Sequence, residues 1–185
     1  MINTMKNILL VAISILLLSQ NSWAQNAESL DLKNLVVVGQ QSELSDRYIL
    51  EVGLLQLFTE YNIKSKASLN VVKEGGDDNF LLNDSLYQSL KNDGIDTYLL
   101  VSIRGYNNRF KPSESISPIE EEIESGRLYP LYRESASNVT FSFTFYRDMK
   151  PVHYELIRTG TVGSRDAVMK KLLKKVEKRL VKEWM

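Results

Sequence analysis

The chain contains one histidine, His153, and no cysteine. An imidazole serves as a general base or a metal ligand. A metal site needs several converging donors, and here there is neither a second histidine nor a thiolate to join His153. A serine triad would need His153 as its base and a Gly-x-Ser-x-Gly elbow, which the sequence lacks. His153, followed by Tyr154 in a predicted strand, therefore reads as a packing or surface residue. The lack of cysteine also removes disulfides, thiol nucleophiles, thiolate metal sites and a lipid-modified N-terminal cysteine.

Phosphate chemistry would be sought where Gly39 follows an apolar run and precedes a helix. The segment Gly39-Gln40-Gln41-Ser42-Glu43-Leu44 lacks the further glycines of a dinucleotide fingerprint and the Gly-Lys-Ser/Thr of a P-loop. It reads as an ordinary strand-to-helix turn. Carboxylates gather at Asp77-Asp78 and at Glu120-Glu121-Glu122 with Glu124. They could supply oxygen ligands to Ca²⁺, but neither follows the EF-hand spacing. Glycoside hydrolysis needs two acids about 5–10 Å apart across the scissile bond. These runs read as solvated loop charges, with a carboxylate-dependent enzyme acting on glycan or peptidoglycan as the alternative.

Lys170, Lys171, Lys174, Lys175, Lys178, Arg179 and Lys182 make the last helix basic. Such a face suits anionic lipid or an acidic polymer, and it equally suits the solvated side of a helix packed on a sheet. No aromatic-basic module points to nucleic acid. Arg47 and Glu51 are four apart on the first predicted helix, a pairing worth ~0.3 kcal/mol if exposed. Asn138-Val139-Thr140 is a glycosylation sequon that a bacterium would leave idle.

Positioning these residues requires elements. Leu35 to Val38 is a short β-branched run ended by Gly39, a buried strand. Ser45 is the expected N-cap of a helix with Asp46 in its first turn and apolar residues from Ile49 to Phe58, stopping near Asn62. Gly53 costs that helix about 1 kcal/mol relative to alanine, so it marks close packing. Ala67, Leu69 and Val71 alternate with Ser68 and Asn70, which predicts a second strand. Gly75-Gly76-Asp77-Asp78 is a turn. A helix is expected from Asn83 or Asp84 to Asn92, with Leu86 and Leu90 on one face, and a strand from Asp96 to Ile103.

Pro112, Pro118 and Pro130 break regular structure between Lys111 and Tyr132, leaving a long loop with one short helix at Ile119 to Glu124. Val139, Phe141, Phe143 and Phe145 alternate with Thr140, Ser142, Thr144 and Tyr146, predicting a strand with one apolar and one mixed face. Asp148 to Pro151 turns the chain back into a strand from Val152 to Thr161. Ser164 caps a last helix whose stripe is Met169, Leu172, Leu173, Val176, Leu180 and Trp184. The order β-α-β-α-β-β-β-α predicts an α/β (α+β) fold, a single mixed sheet with helices packed on it.

Lys6, the apolar run from Ile8 to Leu18 and the small-x-small site Ser22-Trp23-Ala24 read as a cleavable signal peptide over residues 1–24. That run is about half the ~20 residues that span a bilayer. The remainder, residues 25–185, fits one domain, large enough to need no disulfide. The whole chain has 23 basic and 23 acidic residues. Removal of Lys6 leaves one more acid than base, a balance that selects no charged partner. The expected location is the periplasm or the outside of the cell, with no transmembrane segment in the exported chain.

Leu35-Val36-Val37-Val38-Gly39, then Ser45-Asp46-Arg47 with Glu51, then Ala67-Ser68-Leu69, then Gly94-Ile95-Asp96-Thr97-Tyr98-Leu99-Leu100-Val101 occur in this order. So ordered, and with Phe145-Tyr146-Arg147-Asp148 before a returning strand, the chain resembles a group of uncharacterised bacterial periplasmic and envelope proteins. Their fold is similar to the periplasmic domains of curli-secretion-channel lipoproteins and penicillin-binding-protein activators. The resemblance spans most of residues 33–183. It departs from the group in having no cysteine to lipidate, and in carrying His153-Tyr154 where a tryptophan is common. The resemblance implies a non-catalytic accessory or adaptor role.

These readings predict an exported envelope protein that binds another envelope protein, or glycan, without catalytic residues, cofactor or metal. Ile119, Tyr129 and Tyr132, on the long loop, are the expected contact residues. A structural subunit assembling through a sheet edge is a further option.

Overall fold

A computed structural model describes residues 29–71, 83–107, 116–125 and 129–185. The expected signal peptide, the turn at 75–78 and parts of the 111–132 loop lie outside the described residues. Strand β1 (Asn34–Gln40) leads to helix α1 (Leu44–Glu60), strand β2 (Lys64–Ala67) and a helical turn α2 (Ser68–Val71). Helix α3 (Asp84–Asn92), strand β3 (Thr97–Tyr106) and helix α4 (Ile119–Glu124) follow. The hairpin β4 (Val139–Arg147) and β5 (Lys150–Arg158) precedes helix α5 (Arg165–Arg179), which closes in a π turn at Leu180–Trp184.

The strands form one five-stranded mixed sheet in the order β2-β1-β3-β4-β5. β1 pairs in parallel with β2 and β3, while β4 is antiparallel to both β3 and β5. The continuous apolar run of β1 fits a strand covered on both faces. Leu35 and Val37 join Leu99, Val101, Phe141 and Phe143 in a core under α1 and α5. Val36 and Val38 face the other way, with Leu100, Tyr146 and Ile119, under α3 and α4. Alternation along β4 therefore feeds two cores. Its mixed face, Thr140 to Tyr146, is buried as completely as its apolar face.

The expected strand at Ala67–Val71 is corrected. Pairing with β1 runs over Lys64–Ala67, and Ser68 begins a helical turn. The cause is Glu51, whose carboxylate accepts from the Ser68 hydroxyl and from the Leu69 N–H at 3.2 Å. The N-cap of α1 is also corrected from Ser45 to Glu43, whose backbone carbonyl accepts from Asp46 and Arg47 N–H at 3.0 Å each. Ser45 instead receives Arg165 Nη2 at 3.0 Å.

The last strand is corrected as well, since it starts at Lys150, inside the expected turn, and ends at Arg158 rather than Thr161, while several helix ends hold. Asn62, with φ 59°, follows α1, and the Asn83 side chain caps α3. Gly94 leaves α3 at φ 82°, a left-handed conformation that glycine adopts without strain. Asp148 and Met149 both have positive φ, which matches the two-residue hairpin turn between β4 and β5. Ser164 Oγ accepts from Ala167 N–H at 3.2 Å at the start of α5.

Gly53 sits where α1 crosses α5. A Cβ there would meet Met169 Cε at 3.1 Å and Leu173 Cδ1 at 3.4 Å, so the expected close packing is present. The π turn carries Trp184 into the main core, 5.7 Å from the Phe143 ring and 4.9 Å from the Phe145 ring, centroid to centroid. The first described residues lie along that turn. Leu30 N–H donates to Glu183 O at 3.4 Å, and Leu32 N–H to Trp184 O at 3.3 Å. Among the described residues no helix is long and apolar enough to cross a membrane.

Candidate functional site

The site is built at the end of the sheet where β1 and β3 finish. Leu50, Leu54 and Phe58 point α1 at the core, and Arg47 and Glu51 share that buried face. The Arg47–Glu51 pair expected from the spacing forms, and it is buried, so the value for an exposed pair does not apply. Glu51 Oε1 accepts Arg47 Nε at 3.0 Å and Gly39 N–H at 2.9 Å. Arg47 Nη2 also reaches Ser68 Oγ at 2.7 Å. One carboxylate thus ties β1, α1 and α2 together.

With that face fixed inward, the opposite face of the first turns is fixed outward. Leu44 and Tyr48, four apart, are 60% and 58% exposed. Together with Ile49 and Leu69 they wall an open apolar groove of about 720 Å³, edged by Glu43 and Ser45. α2, the element missed as a strand, is what brings Leu69 to this groove.

The 129–133 segment lies at the same end. Asp46 Oδ2 accepts Leu131 N–H at 2.7 Å, and its carboxylate also pairs with Arg165. The Tyr106 hydroxyl donates to Pro130 O. Tyr129 meets Tyr106 edge-on at 6.2 Å, and the Arg133 guanidinium lies 4.6 Å from the Tyr106 ring and 5.6 Å from the Tyr129 ring. Burial pushes the Tyr106 phenol up to about 12, so it stays a neutral donor.

The three expected contact residues part company. Tyr129 is exposed in this cluster. Tyr132 is half-buried against the main core. Ile119 is a correction: it is fully buried with Val36, Val38 and Tyr146, because it anchors α4 to the second face of the sheet.

Glu122 is likewise corrected from a solvated loop charge. Its carboxylate takes Arg104 Nη2 at 2.8 and 2.9 Å, while Arg104 Nε donates to Ser142 Oγ at 2.8 Å. The Ser102 hydroxyl lies between Glu122 Oε1, at 3.1 Å, and Gln40 Oε1. This network partners the polar side chains of Gln40, Ser102, Arg104, Glu122 and Ser142 on that face of the sheet. A signal was present in sequence, since Glu122 stands three residues after Ile119 and one before Ile123, on the same helical face.

His153 is half-buried, its ring centroid 5.7 Å from that of Phe145. Its Nε2 stands 3.9 Å from Glu155 Oε2. Asp77 and Asp78 lie outside the described residues. Among the described residues no three acids or imidazoles gather as a metal site would require.

No protein-family model matches the chain, and neither does any curated protein. Among solved structures it is similar to a lipoprotein from Neisseria meningitidis, at 10% identity and a TM-score of 0.41, over 80% of this chain and 98% of that one. It is also similar to a PelC dodecamer from Paraburkholderia phytofirmans, at 8% identity and a TM-score of 0.41, over 80% of this chain and 86% of that one. Likeness at this level bears on neither function nor assembly.

Proposed function

We propose that the chain is an exported protein of the bacterial envelope that works by binding another envelope protein, without catalysis. The observation that supports this reading is the groove at the start of α1. Leu44 and Tyr48 stand more than half exposed beside Ile49 and Leu69, on the side of α1 opposite the buried Arg47–Glu51 pair. Contiguous apolar surface with polar edges is what a protein interface presents. Tyrosine and arginine, which are enriched at binding hot spots, lie at the same end in Tyr129 and Arg133. Export rests on Lys6, the Ile8–Leu18 run and the Ser22-Trp23-Ala24 site.

The test is affinity capture from native envelope extract with residues 25–185 as bait, beside a Leu44→Glu/Tyr48→Glu variant. Both positions are largely solvated, so the variant keeps its fold within about 0.5 kcal/mol per site. The expected result is a reproducible protein partner that the variant loses. A catch of glycan fragments, or a protein catch indifferent to both substitutions, overturns the reading.

A further inference from the structure

A second surface lies at the opposite edge of the sheet from β2. β5 is the last strand in the order, and no described strand lies beyond it. An edge strand leaves every second residue with an unpaired backbone N–H and C=O, and natural proteins usually blunt such edges. Here the backbone ladder is interrupted only at one end, while Glu155 and Arg158 place charge along the rest. Pro151 and the register shift between Phe145 and Tyr146 break the strand near the hairpin turn. From His153 to Arg158 the pairing with β4 is regular.

That regular half faces a cleft. Leu156, Ile157 and Arg158 form one wall, and Lys175, Lys178 and Lys182 of α5 and the π turn form the other, around about 530 Å³. Arg179 also lines it but is paired with Glu155 and Glu183. Lys182 lies 3.6 Å from Glu183 and is 76% exposed, and the three lysines all stand in solvent.

We propose that the open half of β5 and the lysines of α5 form a docking groove for an acidic, extended peptide segment of another protein, which adds to the sheet as a sixth strand. A strand added there would run about 4.8 Å from β5, within reach of the lysine side chains. Main-chain hydrogen bonds supply affinity in strand addition, and side chains supply the choice of partner. Charge complementarity makes that choice here. A second copy of the chain would bring an equally basic flank to the same edge, and like charges brought together disfavour self-pairing.

The test uses a fluorescent peptide of about six residues alternating glutamate with valine, the length of an ordinary strand. It is titrated into the full chain at low salt. A second peptide carries N-methyl groups at alternate residues, and polygalacturonate serves as a polyanion without amide groups. The expected result is saturable binding, slowed amide exchange within residues 153–158 and little displacement by polygalacturonate. N-methylation abolishes binding. Lys178→Glu with Lys182→Glu, both exposed and checked for an unchanged unfolding temperature, weakens it about tenfold. No saturable binding overturns the proposal. So does equal binding of the N-methylated peptide, or full displacement by polygalacturonate, either of which makes the cleft a simple polyanion site.

Discussion

Glu51 concentrates the cost of the fold in one carboxylate. Four donors from three elements converge on it, and its side chain is wholly buried. Glu51→Ala removes the buried carboxylate that Gly39, Arg47, Ser68 and Leu69 share, breaking a buried ion pair at a cost of about 3–5 kcal/mol. Urea unfolding should show this as a lower midpoint at unchanged slope. Replacing the pair by apolar residues, Arg47→Met with Glu51→Leu, should cost less than Glu51→Ala alone, because both members of the pair are then replaced together. The opposite ranking would mean that the pair itself, rather than its completeness, carries the stability. The spacing of Arg47 and Glu51 was legible in the sequence, but their burial was not. A four-residue charge pair looks the same on either face of a helix. The distinguishing sign was that both share the spacing of Leu50, Leu54 and Phe58. Ile119 failed for a related reason, since a short apolar residue in a proline-broken loop does not say whether it faces a partner or the chain's own core.

Among elements, the crossing of α1 and α5 is set by Gly53. Gly53→Leu has no room beside Met169 and Leu173, and overpacking of this kind costs about 1–3 kcal/mol. Gly53→Ala is a finer probe. It gains about 1 kcal/mol of helix propensity, against a Met169 methyl that must yield by a few tenths of an ångström. Thermal unfolding should therefore place Gly53→Ala near the parent and Gly53→Leu clearly below it. Equal stability of the two would show that the helices part freely. α1 emerged from its hydrophobic period, α3 and α5 from period and cap residues, and β3 from its apolar run, all of them local signals. α2 did not, because the alternation of Ala67, Leu69 and Val71 is a strand pattern. It is overruled by hydrogen bonds to Glu51, a residue in another element. The order of strands was also beyond local pattern, since pairing of β1 with β3 joins segments separated by α1, β2, α2 and α3.

At the scale of the whole molecule, both faces of the sheet hold buried phenols. Burial pushes Tyr98 and Tyr106 up to about 12, and Tyr146 higher still. In the unfolded chain these groups ionise near 10. Their contribution is full below that value and is lost as pH rises from about 10 towards the folded values. Stability should thus fall over that alkaline window, and Tyr98→Phe should make the fall shallower. A flat profile of urea midpoint against pH would show that the phenols are solvated. The chain's two described ends meet along the π turn, where Leu30 and Leu32 bond to Glu183 and Trp184. Their closeness makes the connectivity dispensable. A short glycine–serine linker from residue 185 back to residue 29, with new termini opened at the exposed Gly163, should give a circular permutant with the same sheet. In that permutant α5 is synthesised first, and the same core closes around a differently ordered chain.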